Sequence, residues 1–229
     1  MCTRRLVVSG ALWVLGAGTP PNCVFAAELG GRVEIVDRDS KTVPGVGAVV
    51  WLPGVPVPLA VPKSPATVAS KEKRFEPHVV AVARGATVVF PNLDKILHNV
   101  FSRTPGAEFD LGLYHQGKSK DVRFSTPGIV RIYCNIHSQM AGYIMVLDGA
   151  DFAVVNDSGL YRLDGVPEGR RELRVWHERA GETRVIVQVV GGAPTTFNLT
   201  LDASSYKEVP HKNKYGEEYP PVRRDDDRY

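Results

Sequence analysis

Past its first two dozen residues this chain shows almost no helical periodicity. Short apolar runs rich in Val and Ile recur, and Gly, Pro, Asn and Asp clusters separate them. With 22 Gly and 17 Pro in 229 residues, few stretches stay uninterrupted long enough for a helix of normal length. The pattern predicts strands over residues 32–36, 48–52, 79–83, 86–90, 98–102, 120–124, 129–134, 142–147, 152–155, 160–163, 173–177, 184–190 and 195–201. Strands at this spacing predict an all-β fold of the sandwich class. Arg84-Gly85 reads as a hairpin turn, residues 103–119 as a long loop, and Pro53 to Pro65 as a stiff connector. Residues 203–229 are charged and poor in apolar side chains, which predicts an extended or partly disordered tail.

The N-terminus has a different character. Arg4 and Arg5 precede an apolar stretch from Leu6 to Ala17, and Val24-Phe25-Ala26 offers small residues for a cut after Ala26 or Ala27. This is the pattern of a secretory signal, too short for a spanning helix. The paired arginines also resemble a twin-arginine signal, but an ordinary positive n-region of the Sec type is the plainer reading. Export to the periplasm is expected. Removing residues 1–27 takes the net charge from +3 to about +1, which gives no electrostatic case for nucleic-acid binding. It also takes two of the three cysteines, Cys2 and Cys23. Cys134 then has no partner for an internal disulfide, and metal ligation gives an exported lone thiol a reason to exist. No second apolar run is long enough to span a membrane.

Cys134 stands in Tyr133-Cys134-Asn135-Ile136-His137-Ser138-Gln139-Met140, which places a thiolate, an imidazole and a thioether within seven residues. His98, in His98-Asn99-Val100, supplies a second imidazole 36 positions upstream. Two His, one Cys and a weak axial Met make the ligand set of a blue-copper site, whereas zinc favours Cys, His and carboxylate. The candidate ligands are therefore His98, Cys134, His137 and Met140, with Met145 the rival axial residue. Strand alternation puts Val130, Ile132 and Cys134 on one face and Ile129, Arg131 and Tyr133 on the other. Arg131 belongs in solvent, so Cys134 should point inward. His78, His115, His177 and His211 read as structural or solvated.

Residues 75–147 resemble a cupredoxin of the short-loop, amicyanin kind. The likeness rests on Arg84 to Asn92, on His98-Asn99-Val100, and on Cys134-x-x-His137-x-x-Met140. It implies one type 1 copper held by His98, Cys134, His137 and Met140. It further implies that Asn99 ties the two ligand loops together, that electrons pass through a partly exposed His137, and that Tyr133 offers a second, longer route. Ile136 stands where many relatives carry Pro, which lacks a backbone N–H; the departure implies altered hydrogen bonding around the thiolate and hence an altered potential.

The flanks resemble a carboxypeptidase regulatory-like β-sandwich, through Gly31-Arg32-Val33, Val43 to Pro53, Asn156 to Leu163, Val166 to Gly169 and Leu173 to Val175. The arrangement as a whole is similar to exported proteins labelled as methylamine utilisation proteins. The expected organisation is a signal over 1–27, first sandwich strands and connector over 28–65, a cupredoxin Greek-key sandwich over 70–148, the remaining sandwich strands over 149–202, and a tail over 203–229. The copper domain would thus be inserted in, or joined to, a second and smaller sandwich. The expected function is one-electron transport between redox proteins of the cytochrome or dehydrogenase kind, docked around Ile136, Ser138 and Met140, and not an enzymatic reaction. The rivals are copper binding or delivery without redox turnover, and a carbohydrate- or protein-binding module with a structural metal site.

Overall fold

The computed structural model describes residues 26–54, 65–149 and 151–219. The expectations placed on the signal segment and on most of the Pro-rich connector fall outside them. Among the described residues every regular element is a strand, and no helix is long and apolar enough to cross a membrane.

The strands form two packed sandwiches. In the first, Ala26–Val36 is the organising element. Its inward residues Leu29, Val33 and Ile35 are all but fully buried, as period-two alternation requires. It pairs antiparallel with Leu160–Pro167 and Thr42–Pro44, and parallel with Leu199–Asp202. A Cβ at Gly31 would lie 2.0 Å from the Phe197 carbonyl oxygen, so glycine is what lets these two backbones meet. Facing this sheet is a second one, in the order Phe152–Val154, Val49–Trp51, Gly169–His177, Gly181–Val189. Leu29, Val50, Leu163, Leu173, Val187 and Leu201 fill the space between. Val49–Trp51 pairs on one side with Phe152–Val154 and on the other with Arg174–Trp176. Strands before and after residues 65–149 therefore share one sheet.

Residues 65–149 make the second sandwich. One sheet runs Phe109–Tyr114, His98–Ser102, Gly128–Tyr133, Ala141–Leu147, Val79–Ala83, and the other runs Ser119–Arg123, Thr87–Pro91, Ala66–Thr67. Phe90, Val100, Phe124, Ile132 and Ile144 form its core, together with Cys134 and Met140. A third cluster joins the two bodies: Val49, Trp51 and Trp176 from the first, Val79, Met145 and Leu147 from the second.

Two expectations need correction. The segment at Arg84-Gly85 is not a hairpin: Val79–Ala83 lies in one sheet beside Ala141–Leu147, and Thr87–Pro91 lies in the other beside Ser119–Arg123. Arg84 N–H donates to Leu147 and Gly85 N–H to Phe124, so the turn bridges the two layers. Residues 103–119 are not all loop, because Phe109–Tyr114 pairs with His98–Ser102 across a bulge between Asp110 and Leu113. The tail over residues 203–219 has no regular element, and its Tyr219 and His211 lie against the second sandwich, as described below.

Candidate metal centre

Three segments meet at one end of the second sandwich. Gly128–Tyr133 delivers Cys134 just past its last residue. Burial follows the expected alternation: Val130, Ile132 and Cys134 are buried while Arg131 is exposed. The chain then closes a tight loop, with Cys134 N–H donating to Met140 O at 3.1 Å and Met140 N–H to His137 O at 3.0 Å. This turn brings His137 back toward the sulfur. His98, the first residue of its strand, arrives from the neighbouring segment.

His98, Cys134 and His137 each offer a donor atom, and these atoms lie within 4.8 Å of one another. Cys134 Sγ is 3.6 Å from His137 Nδ1 and 3.9 Å from His98 Nδ1. The pocket is dry: Cys134, His98 and Met140 are fully buried, and His137 is 7% exposed. Met140 shares the buried cluster of Cys134, whereas Met145 does not. On Ala141–Leu147, Ile144 and Val146 face the core of the second sandwich, so Met145, one residue out of phase with each, faces the first sandwich instead. That removes Met145 as the rival axial residue. Burial also removes Met140 from the expected docking surface, where Ser138 and Gln139 are exposed.

His98 and Cys134 are each held by neighbouring groups. His98 Nε2 donates to Asp94 Oδ2 at 2.7 Å, which leaves Nδ1 as the lone-pair nitrogen facing the sulfur. Asp94 is itself fixed by backbone N–H groups of Glu72 and Lys73, at 2.7 and 2.9 Å. Burial alone would raise the Asp94 carboxyl, but those N–H groups and His98 hold it below its ordinary range. Burial pushes His98 below its ordinary value against the pull of Asp94, a direction that favours the neutral imidazole a metal needs. Burial likewise pushes the Cys134 thiol up, opposed by backbone N–H groups of Asn99, Ile136 and His137 directed at the sulfur. The Ile136 N–H is one of these groups, and a proline there would have none to offer.

Asn99 links the loops as expected: its Oδ1 accepts Asn135 N–H at 3.2 Å. Its Nδ2 donates to Asp110 Oδ1 at 2.7 Å. Tyr133 lies on the opposite face from the sulfur, half-buried, but its ring is covered by His211, stacked at 4.2 Å. The Tyr219 hydroxyl donates to the Cys134 carbonyl at 2.7 Å. Asp94, Asp110, Lys214, His211 and Tyr219 were not singled out for the site from sequence. For Asp94 a signal existed, since it precedes His98 by four residues in a turn. Asp110 bonds Asn99 from 11 residues away, and Tyr219 reaches Cys134 from 85 residues away.

The donor chemistry fits copper. Two imidazole nitrogens, a thiolate and a nearby thioether suit a metal that alternates between a softer and a harder state. The Asp94 carboxylate, which bonds the donor His98, is committed to its Nε2 and two backbone donors, so it is not the hard fourth ligand zinc would favour.

No family model and no curated protein matches the chain. Solved structures similar to it include the copper-containing nitrite reductase of Thermus scotoductus, 24% identical, with a TM-score of 0.37, over 43% of this chain and 27% of that one. A purple cupredoxin from Nitrosopumilus maritimus is 20% identical, with a TM-score of 0.32, over 36% of this chain and 99% of its own. The reduced Cu(I) form of an amicyanin variant is 20% identical, with a TM-score of 0.35, over 43% and 98%. Each covers less than half of this chain, and what the centre can hold is decided by its own donor atoms: His98 Nδ1, Cys134 Sγ and His137 Nδ1, with Met140 beside them.

Proposed function

We propose that this protein is an exported type 1 blue-copper electron carrier. In this reading the inserted sandwich is a cupredoxin-like domain with His98, Cys134, His137 and Met140 as its ligands. One observation carries the proposal: two imidazoles and the single thiol of the described residues converge, from segments 36 positions apart, in a pocket closed to water. When bound, copper supplies a one-electron couple between Cu(I) and Cu(II).

The chain's own residues do the rest. Asp94 fixes the His98 ring, and three backbone N–H groups stabilise the thiolate. A centre so held changes little between oxidation states, which keeps electron exchange fast. His137, the more exposed of the two imidazoles, is the side through which electrons pass to a protein partner, beside Ser138 and Gln139. Such partners are one-electron redox proteins of the cytochrome or dehydrogenase kind, bound through a small, transient interface. Transport rather than catalysis is favoured because His98, Cys134 and Met140 are fully buried and only His137 is slightly exposed, which restricts access by a substrate. The outer sandwich, carboxypeptidase regulatory-like by its sequence, serves as an interaction module. The periplasm is the compartment that the signal segment addresses, and a methylamine-utilisation type of role remains part of this proposal.

Repeated redox cycling separates carrier from delivery protein. The copper-loaded protein should bleach with one equivalent of ascorbate and recover fully with ferricyanide over several cycles, with copper retained through gel filtration. Release of copper on reduction would favour delivery and overturn the carrier reading.

A further inference from the structure

The charged C-terminal segment has more contacts with the ligand loop than its composition foretells. From Asp202 it turns past the first sandwich, where Arg38 Nη2 donates to the Tyr206 carbonyl at 2.9 Å and the Arg179 guanidinium lies over the Tyr206 ring. It then crosses to the second sandwich. His211 stacks on Tyr133, and the Tyr219 hydroxyl reaches both the Cys134 carbonyl, at 2.7 Å, and His211 Nδ1, at 3.2 Å.

Between these anchors lies a closed ring of four hydrogen bonds. Lys214 N–H donates to Asn135 Oδ1 at 3.0 Å, and Asn135 N–H donates to Asn99 Oδ1 at 3.2 Å. Asn99 Nδ2 donates to Asp110 Oδ1 at 2.7 Å, and Asp110 Oδ2 accepts Lys214 Nζ at 2.7 Å. Two members, Asn99 and Asn135, directly follow the ligands His98 and Cys134. The other two come from the bulged edge strand and from the tail.

We propose that residues 206–219 form a strap that belongs to the metal centre, with Lys214 and Tyr219 as positioning residues that hold the Cys134–Met140 loop against the His98 strand. The physical need is plain. Sheet pairing between Gly128–Tyr133 and His98–Ser102 is confined to Tyr133 and Phe101, so just beyond it the ladder does not fix Cys134 relative to His98. The strap supplies the missing ties, and it does so from side chains and backbone of one segment. A ligand set held in this way before metal arrives has less ordering entropy to lose on binding and less room to relax between oxidation states. The consequence for copper rests on the function proposed above; the strap itself does not.

Thiol labelling of the metal-free, full-length protein tests it. Reagent reaches the buried Cys134 only when the loop opens, so the labelling rate follows the opening equilibrium. Tyr219→Phe removes one hydroxyl and keeps the ring, and should speed iodoacetamide labelling roughly five-fold. Asn135→Ala breaks the ring of four and should do at least as much. A chain ending at Ser205 should label faster still, while amide exchange in residues 169–189 stays as in the parent. In the copper-loaded protein, Tyr219→Phe should also lower the reduction potential with the melting temperature nearly unchanged, which a merely structural contact would not do. Parental labelling rates in both Tyr219→Phe and Asn135→Ala would overturn the strap. Failure to bind copper with labelling still accelerated would overturn the proposed function and leave the strap standing.

Discussion

Ile136 gives the sharpest handle on how the protein tunes its thiolate. Burial pushes the Cys134 thiol up, and backbone N–H groups of Asn99, Ile136 and His137 oppose that push. Each donor stabilises the electron-rich sulfur, and more so in the reduced state. Ile136→Pro deletes one of the three donors without touching a ligand. A hydrogen bond to a charged group is worth about 1.5–3 kcal/mol, and only its difference between oxidation states moves the potential, on the order of 1 kcal/mol. For a one-electron couple with about 59 mV per tenfold change, that corresponds to a fall of roughly 40 mV. Ile136→Ala keeps the N–H while removing more apolar bulk than Ile136→Pro does, so a fall in potential confined to the Pro variant reports the hydrogen bond. Protein-film voltammetry of the three proteins measures the effect. Equal potentials for the Pro and Ala variants, or a higher one for Pro, would refute the reasoning.

Other outcomes follow from the same geometry. Asp94→Ala frees the His98 ring and should weaken copper binding about 10- to 100-fold by competitive chelator titration. Met140→Leu should alter the visible and paramagnetic spectra of the copper form, whereas Met145→Leu, a near volume-conserving swap at the junction of the two bodies, should leave them unchanged. At that junction His78 Nε2 meets Glu178 Oε2 at 2.8 Å. The Glu178 contact raises His78 above its ordinary 6.5, so its contribution is complete below that pH and is lost as pH rises through the elevated value. Burial would raise Glu178, but His78 holds it below 4.5, so its contribution is present above pH 4.5 and is lost as pH falls through the depressed value. The pair should therefore stabilise most between about pH 4.5 and 6.5, and Glu178→Gln should flatten that part of the melting-temperature profile. With the His78 side chain 47% exposed, solvent screening keeps the effect below about 1 kcal/mol.

The donors were legible in the sequence because they obey local rules. Cys134, His137 and Met140 fall within seven residues, and period-two alternation turns Cys134 inward beside Val130 and Ile132. The same alternation, applied to Ala141–Leu147, separates Met145 from the centre. What supports the donors was not legible, because it depends on which strands become neighbours. Arg84-Gly85 has the chemistry of a turn, but turn chemistry does not say whether the next strand joins the same sheet or the facing one. Phe109–Tyr114 was hidden by its bulge and by Gly112, whose φ of +63° breaks the alternation. Lys214 and Asp110 are 104 residues apart, and only the path of the folded tail makes them a pair. A charged composition predicts solvation on average; three anchors, His211, Lys214 and Tyr219, are enough to override it here.

Addition of Cu(II) to the purified metal-free protein tests the central claim most directly. A thiolate-ligated copper should give an intense visible charge-transfer band at one equivalent, and the band should be absent in Cys134→Ser and strongly altered in His98→Ala. Colourless binding, a band that survives Cys134→Ser, or zinc held more tightly than copper would contradict it.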